Sequence, residues 1–287
     1  MRRNFAQILQ EAKIDPKQEY KKLYGMLFDR TIVVSNSNRV SVYDELSECF
    51  LSFPFRGTCL SLEEFNELND FHFEKEPTNF KIDELILLCE YMENLLIAYQ
   101  GIQLSFPYGY GNMRPQLINV QFYLQQIGQV IERIGYMQAT QNGFTIFVEK
   151  SPAAIAVAES DLVPKELSYR IISYNHCSMK GQLEAKKSAL VQLASLLEPK
   201  RGSLKKADKT LESDLFYLFN NLNIRHNNVD PADSAKYKPF IVQMKQEELE
   251  HWYDETYQMC LLAFLQLEQT ERKIEFDRLK TAIEEQT

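Results

Sequence analysis

The segment FNNLNIRHNNVDP, residues 219–231, crowds Asn220, Asn221, Asn223, Arg225, His226, Asn227 and Asn228 into a few positions, directly after a helix-spaced leucine series. An arginine fork can clamp a phosphate through paired N–H donors. A histidine titrates close to neutrality and can move a proton. Such a pair needs no metal. RNA is its natural substrate, because the 2′-hydroxyl is a built-in nucleophile that a general base can activate. In this reading Arg225 clamps the scissile phosphate and stabilises its developing charge, and His226 is the general base or acid. Asn221, Asn223, Asn227 and Asn228 then hold phosphate or base. The same residues also read as a plain helix terminus. Asparagine tolerates left-handed backbone, a cation near a helix C-terminus complements the dipole, and Asp230-Pro231 makes a turn.

Other chemistries leave no trace. There is no GxxxxGK[ST] loop, no GxGxxG after a strand, no GxSxG and no HExxH. The four histidines, His72, His176, His226 and His251, never stand at helical ligand spacing from one another, so no metal is expected. No other cofactor is called for. Cys49, Cys59, Cys89, Cys177 and Cys260 are scattered without a CxxC pair, as reduced and mostly packed thiols would be. Asp254-Glu255 diverge on adjacent helix positions and need no catalytic reading. The loop YGYGNMRP, residues 108–115, is a weaker candidate for a small-molecule site.

The elements that must position the Arg-His segment are helical. Periodicity predicts a helix starting near Asp15-Pro16 and a short one opened by the capping-box spacing Ser61-Glu64. IDELILLCEYMENLLIAYQ, residues 82–100, is apolar nearly all round and should be a buried central helix. A Gly/Pro loop over 101–115 leads to an amphipathic helix from about Gln116 to Gly135. Asn142-Gly143 between β-branched and aromatic runs predicts a hairpin over about 136–149. The remainder reads as helices: one capped by Ser151, one after Pro164, and QLEAKKSALVQLASLLE. A turn KRGSLKK follows, then a helix with Leu211, Leu215, Leu218 and Leu222, then a long helix from about Gln246 past Leu279. On that last helix Tyr253, Tyr257, Cys260 and Phe264 form one core stripe, with Trp252, Met259 and Ala263 beside it. The expected fold is mainly α, a multi-helix bundle with one small β-hairpin. It comprises a helical N-terminal region over 1–150 and a helical bundle over 151–287.

With 287 residues, 45% hydrophobic and 25% charged, the chain has the composition of a globular protein rather than a disordered one. Its net charge of −8 argues against a coat of nucleic-acid-binding surface. The charge is uneven. From Lys165 to Lys209 ten Lys/Arg face four Asp/Glu, whereas from Lys245 onward five face eleven. Lys186, Lys187, Lys200, Arg201, Lys205 and Lys206 could therefore steer RNA. The opening MRRNFAQILQEAK lacks an apolar h-region, and no uncharged apolar run reaches bilayer length. A cytoplasmic protein without a membrane partner is expected.

A helical bundle in which a long helix ends in Arg and then His resembles the HEPN superfamily, found in abortive-infection and toxin–antitoxin ribonucleases. The likeness covers about Pro164 to Leu279, with LFYLFNNLNIRHNN at the place of that family's motif. SYNHCSMKGQLEAKKSALVQLASLLE before it is also similar to bacterial proteins found near abortive-infection systems. The resemblance implies metal-independent RNA cleavage for phage defence. It also implies a homodimer with two motif sites facing a shared cleft, and a possible cognate antitoxin or other protein partner. Arg225 matches the family's arginine and His226 its following polar position. The family's further histidine stands past four to six intervening residues, where this chain has Asp230, Pro231 and Ala232. A non-catalytic relative, whose polar motif organises a dimer, a partner interface or RNA binding, is the alternative.

Overall fold

The computed structural model describes residues 14–35, 38–105 and 117–285. The chain divides into two compact units, one up to Phe147 and one from Val148 on. The mainly α class is borne out, but among the described residues two small hairpins are present where one was expected.

In the first unit, α1 (Pro16–Phe28) starts where Asp15 accepts the Lys17 N–H at 2.9 Å and proline occupies the first turn. It buries Tyr20, Leu23 and Leu27. The hairpin of β1 (Ile32–Ser35) and β2 (Asn38–Val40) was not anticipated. Its strands lie largely in solvent, so no alternation of buried and exposed positions marks them. The helix α2 (Val42–Cys49) is closed by a full capping box between Ser41 and Asp44. At α3 (Leu62–Leu68), Ser61 caps the Glu64 N–H as expected, but the Glu64 carboxylate takes the Leu60 N–H at 2.7 Å instead of that of Ser61.

The central helix α4 (Ile82–Ser105) is buried through Leu85, Ile86, Leu88, Cys89, Met92, Leu95 and Leu96. It runs on through Gly101–Ser105, which the sequence assigned to a loop, because one glycine costs a helix only about 1 kcal/mol. The segment YGYGNMRP lies outside the described residues. Residues Ile82–Ile102 are long and apolar enough to cross a bilayer by length and composition, and 61% of that window is buried inside the protein. α5 (Val120–Arg133) begins at its cap Asn119.

The second hairpin, β3 (Tyr136–Gln141) and β4 (Phe144–Glu149), turns through Asn142 and Gly143 at φ 54° and 82°. Both left-handed positions are what a type I′ turn demands. An isolated hairpin is marginal in water, and this one is held by α4. The Asn94 amide gives its Nδ2–H to the Thr145 carbonyl and accepts the Thr145 N–H, both at 2.8 Å. One turn earlier, Glu90 accepts the Phe147 N–H at 2.6 Å. Side chains at i and i+4 of a helix thus stand in for a missing strand and satisfy the β4 edge.

In the second unit, α6 (Pro152–Ala158) is capped by Ser151, which accepts the Ala154 N–H at 3.2 Å. α7 (Lys165–Ser173) stops short of the expected length, because His176 leaves helical geometry and bridges to Val148. α8 (Leu183–Leu197) follows the left-handed Gly181, with φ 74°. A 3-10 turn, Glu198–Lys200, then leads directly into α9 (Arg201–Ala207). KRGSLKK is therefore helical rather than a turn, with Leu204 fully buried beneath its charges. α10 (Lys209–Asn221) starts at Asp208, which accepts the Leu211 N–H at 2.9 Å. A short α11 (Pro239–Gln243) precedes α12 (Gln246–Glu284), which packs along α8 and also meets α6, α9 and α10. The stripe Tyr253, Tyr257, Cys260 and Phe264 is buried, as is Ala263. Trp252 is not core. It is 39% exposed, because its position on α12 turns away from the bundle.

Candidate functional site

The helix α10 is driven into the second unit by Leu211, Leu215, Phe216 and Phe219, and its last turn carries the polar segment outward. Asn223 adopts φ 56°, the left-handed conformation that ends a helix. The reversed chain lets the Arg225 N–H reach the Phe219 carbonyl at 3.0 Å, one of the groups a helix end leaves without a partner. Leu222 and Ile224 are buried beneath the turn.

Asn223 and Asn228 then lock the loop reciprocally. The Asn223 N–H donates to Asn228 Oδ1 at 2.8 Å, and the Asn228 N–H to Asn223 Oδ1 at 3.2 Å. Asn228 Nδ2 donates to the Lys236 carbonyl at 2.8 Å, and its own carbonyl accepts the Lys238 N–H at 2.8 Å. Asn228 is 1% exposed and Asn223 9%. Asn221 donates back to the Tyr217 carbonyl at 2.8 Å, one turn up its own helix. Of the six candidate site residues, Asn223 and Asn228 are buried with their amides bonded inward, and Asn221 commits its amide to its own helix. They fit the helix-terminus reading directly.

The other three reach solvent: Arg225 and Asn227 are exposed and His226 is half-buried. Arg225 does not stand alone. Its Nη1 lies 2.6 Å from Glu198 Oε2, in the 3-10 turn between α8 and α9. This acid was missed at the sequence level, and the only signal for it was a lone Glu inside a basic stretch. The pair holds the guanidinium in one place and also neutralises part of its charge.

The basic stretch is distributed unevenly in space. Lys186 is not on the surface. It is 4% exposed, with its Nζ 2.7 Å and 2.9 Å from the two Asp254 carboxylate oxygens and 2.8 Å from Glu250. The Tyr174 hydroxyl donates to Asp254 at 2.9 Å, and its ring stacks on Tyr257 at 3.9 Å between centroids. Burial, followed by the Asp254 charge, pushes the Tyr174 hydroxyl far up. The hydrogen bond from Lys186 pulls the Glu250 carboxyl below its ordinary range. This cluster ties α7 and α8 to α12. Arg201 pairs with Glu212 and lies over the Phe216 ring at 4.4 Å. Lys187 and Lys200 are half-buried, leaving Lys205 and Lys206 fully at the surface of α9.

The remaining histidines have local partners. His176 Nδ1 is 2.7 Å from the Ser178 hydroxyl, His72 lies 3.4 Å from Asp70, and His251 packs near Trp252 on exposed α12. Among the described residues no group of three or more His, Cys, Asp or Glu is placed to hold a metal ion.

The first unit has an aromatic cleft of about 270 Å³, lined by Phe55, Phe65, Phe71, Tyr91 and Phe144 over Glu90 and Asn94. The polar floor is largely engaged by the hairpin, as Asn94 and Glu90 bind the β4 backbone. Behind it, Glu93 accepts from Gln138 Nε2 at 2.9 Å, and burial raises its carboxyl to about 7. Neither the cleft nor these acids was anticipated as a site, since hairpin partners on a distant helix leave no local pattern.

No family model, curated protein or solved structure matches this chain.

Proposed function

We propose that the second unit acts on RNA, cleaving it without a metal at the Arg225–His226 element, as an abortive-infection or toxin-type protein of the cytoplasm resembling HEPN ribonucleases. The observation that carries this reading is the presentation of Arg225, His226 and Asn227 to solvent from a loop braced by the reciprocal Asn223–Asn228 hydrogen bonds and the bond from Asn228 to Lys236. Catalysis requires such preorganisation: charged donors held where charge develops, with no reorganisation at the moment of reaction. Arg225 clamps the phosphate through its fork, Glu198 positions that fork, and Lys205 and Lys206 attract the strand. His226 removes the 2′-hydroxyl proton, the 2′-oxygen attacks phosphorus, and the 5′-oxygen leaves with a proton from solvent or imidazolium. The products are a 2′,3′-cyclic phosphate and a 5′-hydroxyl. Wild-type protein in EDTA should generate these ends from a pool of cellular RNA, while Arg225→Ala and His226→Ala should not. Cleavage abolished by EDTA, or retained in the double variant, refutes the reading.

A second reading is supported by the Arg225–Glu198 pair and the inward asparagines: a non-catalytic module whose polar loop organises a homodimer, an antitoxin or other partner interface, or RNA binding. Arg225→Ala would then change sedimentation mass, partner retention or RNA retention while no turnover is seen in wild type. Unchanged mass and unchanged retention would count against it.

A further inference from the structure

The helix α12 changes character part way along. Its buried positions, Tyr253, Thr256, Tyr257, Cys260, Leu261, Ala263, Phe264 and Leu267, all face the bundle. Beyond Leu267 that face becomes polar, with Glu271, Glu275 and Arg278 on it and Ile274 as its apolar exception. Every residue from Glu271 to Glu285 is exposed. Apolar side chains nevertheless continue along a flank of the helix beside its buried face, with Leu279 five turns on from the buried Leu261. Leu262, Phe276, Leu279 and Ile283 are 47%, 63%, 58% and 57% exposed.

Those positions are in register. Leu262, Leu265, Gln269, Arg272, Phe276, Leu279 and Ile283 alternate steps of three and four, the a/d spacing of a coiled coil, although Leu265 is half-buried and also packs on the bundle's own core. Leu262, Gln269, Phe276 and Ile283 occupy a, and Leu265, Arg272 and Leu279 occupy d. At about 1.5 Å per residue the seam is roughly 32 Å long. Gln269 puts a single polar residue at a, a device that fixes register and strand number. Arg272 at d already bends its guanidinium to Glu268 at 2.8 Å, which leaves its aliphatic stem along the seam.

The flanking charges choose the occupant. Glu268 and Glu275 fall at g, and Lys273 and Lys280 at e. In a parallel pair, each g residue meets the e residue five places later on the other helix, which sets the exposed Glu275 against Lys280, while Glu268, only 15% exposed and bound to Arg272, keeps to its own helix beside Lys273. In an antiparallel pair g meets g and e meets e, so glutamates would oppose glutamates and lysines lysines. We infer that the exposed flank of α12 is a parallel, two-stranded coiled-coil interface for a second copy of this chain. The inference is independent of the RNA-cleaving reading.

The test is sedimentation equilibrium of the full chain, with circular dichroism to confirm folding. Wild type should have twice the chain mass at micromolar concentration. Leu279→Asp should sediment as a monomer with an unchanged spectrum, since Leu279 is 58% exposed. Lys280→Glu should also give monomers, and adding Glu275→Lys should restore the dimer. A monomeric wild type overturns the interface, as does its recruitment as a monomer to anionic vesicles. A dimer that survives Leu279→Asp places the contact elsewhere and does the same. A charge-reversed Lys280→Glu variant that remains dimeric overturns the parallel orientation.

Discussion

Replacing Glu93 by glutamine tests whether the carboxylates beneath the second hairpin are structural. Glu93 sits on α4, accepts from Gln138 at 2.9 Å, and lies one turn from Glu90, which holds the Phe147 N–H. Burial raises its carboxyl from 4.5 to about 7. The folded state therefore keeps a proton that the unfolded state releases. Stability from this group is fully present below pH 4.5, falls as pH rises, and is gone above about 7. At about 1.4 kcal/mol per pH unit the loss has a ceiling of about 3 kcal/mol, and about 1–2 kcal/mol with allowance for solvent screening. Glu93→Gln cannot ionise and keeps an acceptor for Gln138. The variant should match wild type at about pH 3.5 and exceed it by about 1–2 kcal/mol at pH 8. Urea unfolding followed by far-UV circular dichroism measures this difference. Emission from Trp252, the single tryptophan, follows the second unit as an internal control. A gap between variant and wild type that is the same at both pH values, or that widens toward acid, refutes the reasoning.

Asn228→Ala removes the acceptor for the Asn223 N–H and the donor to the Lys236 carbonyl, and should cost about 2–3 kcal/mol in urea unfolding, whereas Asn227→Ala should change stability by less than about 0.5 kcal/mol. Lys186→Met leaves the Asp254 and Glu250 carboxylates side by side without their cation, and should lower stability by about 2–3 kcal/mol, less than a fully buried pair because Asp254 is partly solvated. A loss that is the same in Lys186→Met and in Lys186→Met with Asp254→Asn and Glu250→Gln would assign the effect to packing alone. Glu198→Gln releases Arg225 from its ion pair and should tighten binding of a short RNA by about fivefold, equivalent to roughly 1 kcal/mol, read by fluorescence anisotropy.

What was legible in the sequence was whatever rests on neighbours in the chain. Asn142-Gly143 specifies its turn from two residues, Ser61 and Ser151 cap helices three residues ahead, and the leucine spacing of α10 gives its buried face. The boundaries that failed depended on distant partners. His176 leaves its helix to bridge to Val148, and KRGSLKK becomes helical over the buried Leu204. The same distinction divides the candidate site. Composition could show that residues 220–228 were rich in amides. It could not show that Asn223 and Asn228 bind each other, because the pattern of a loop-closing asparagine and a ligand-binding one is identical.

Glu198 brings the chemistry down to one balance. An arginine 2.6 Å from a carboxylate has its fork partly engaged, and a phosphate must either displace that carboxylate or share the guanidinium with it. The arginine side chain is 30% and the glutamate 41% exposed, and although Glu198 Oε2 itself is enclosed, its contact with Nη1 lacks hydrogen-bond geometry, so breaking it costs only about 1 kcal/mol. A phosphate bound bidentately, with lysines of α9 adding attraction, returns more than that. If the second unit binds RNA as proposed, the ion pair would act on Arg225 by orientation, holding the fork until a phosphate took the place of the carboxylate.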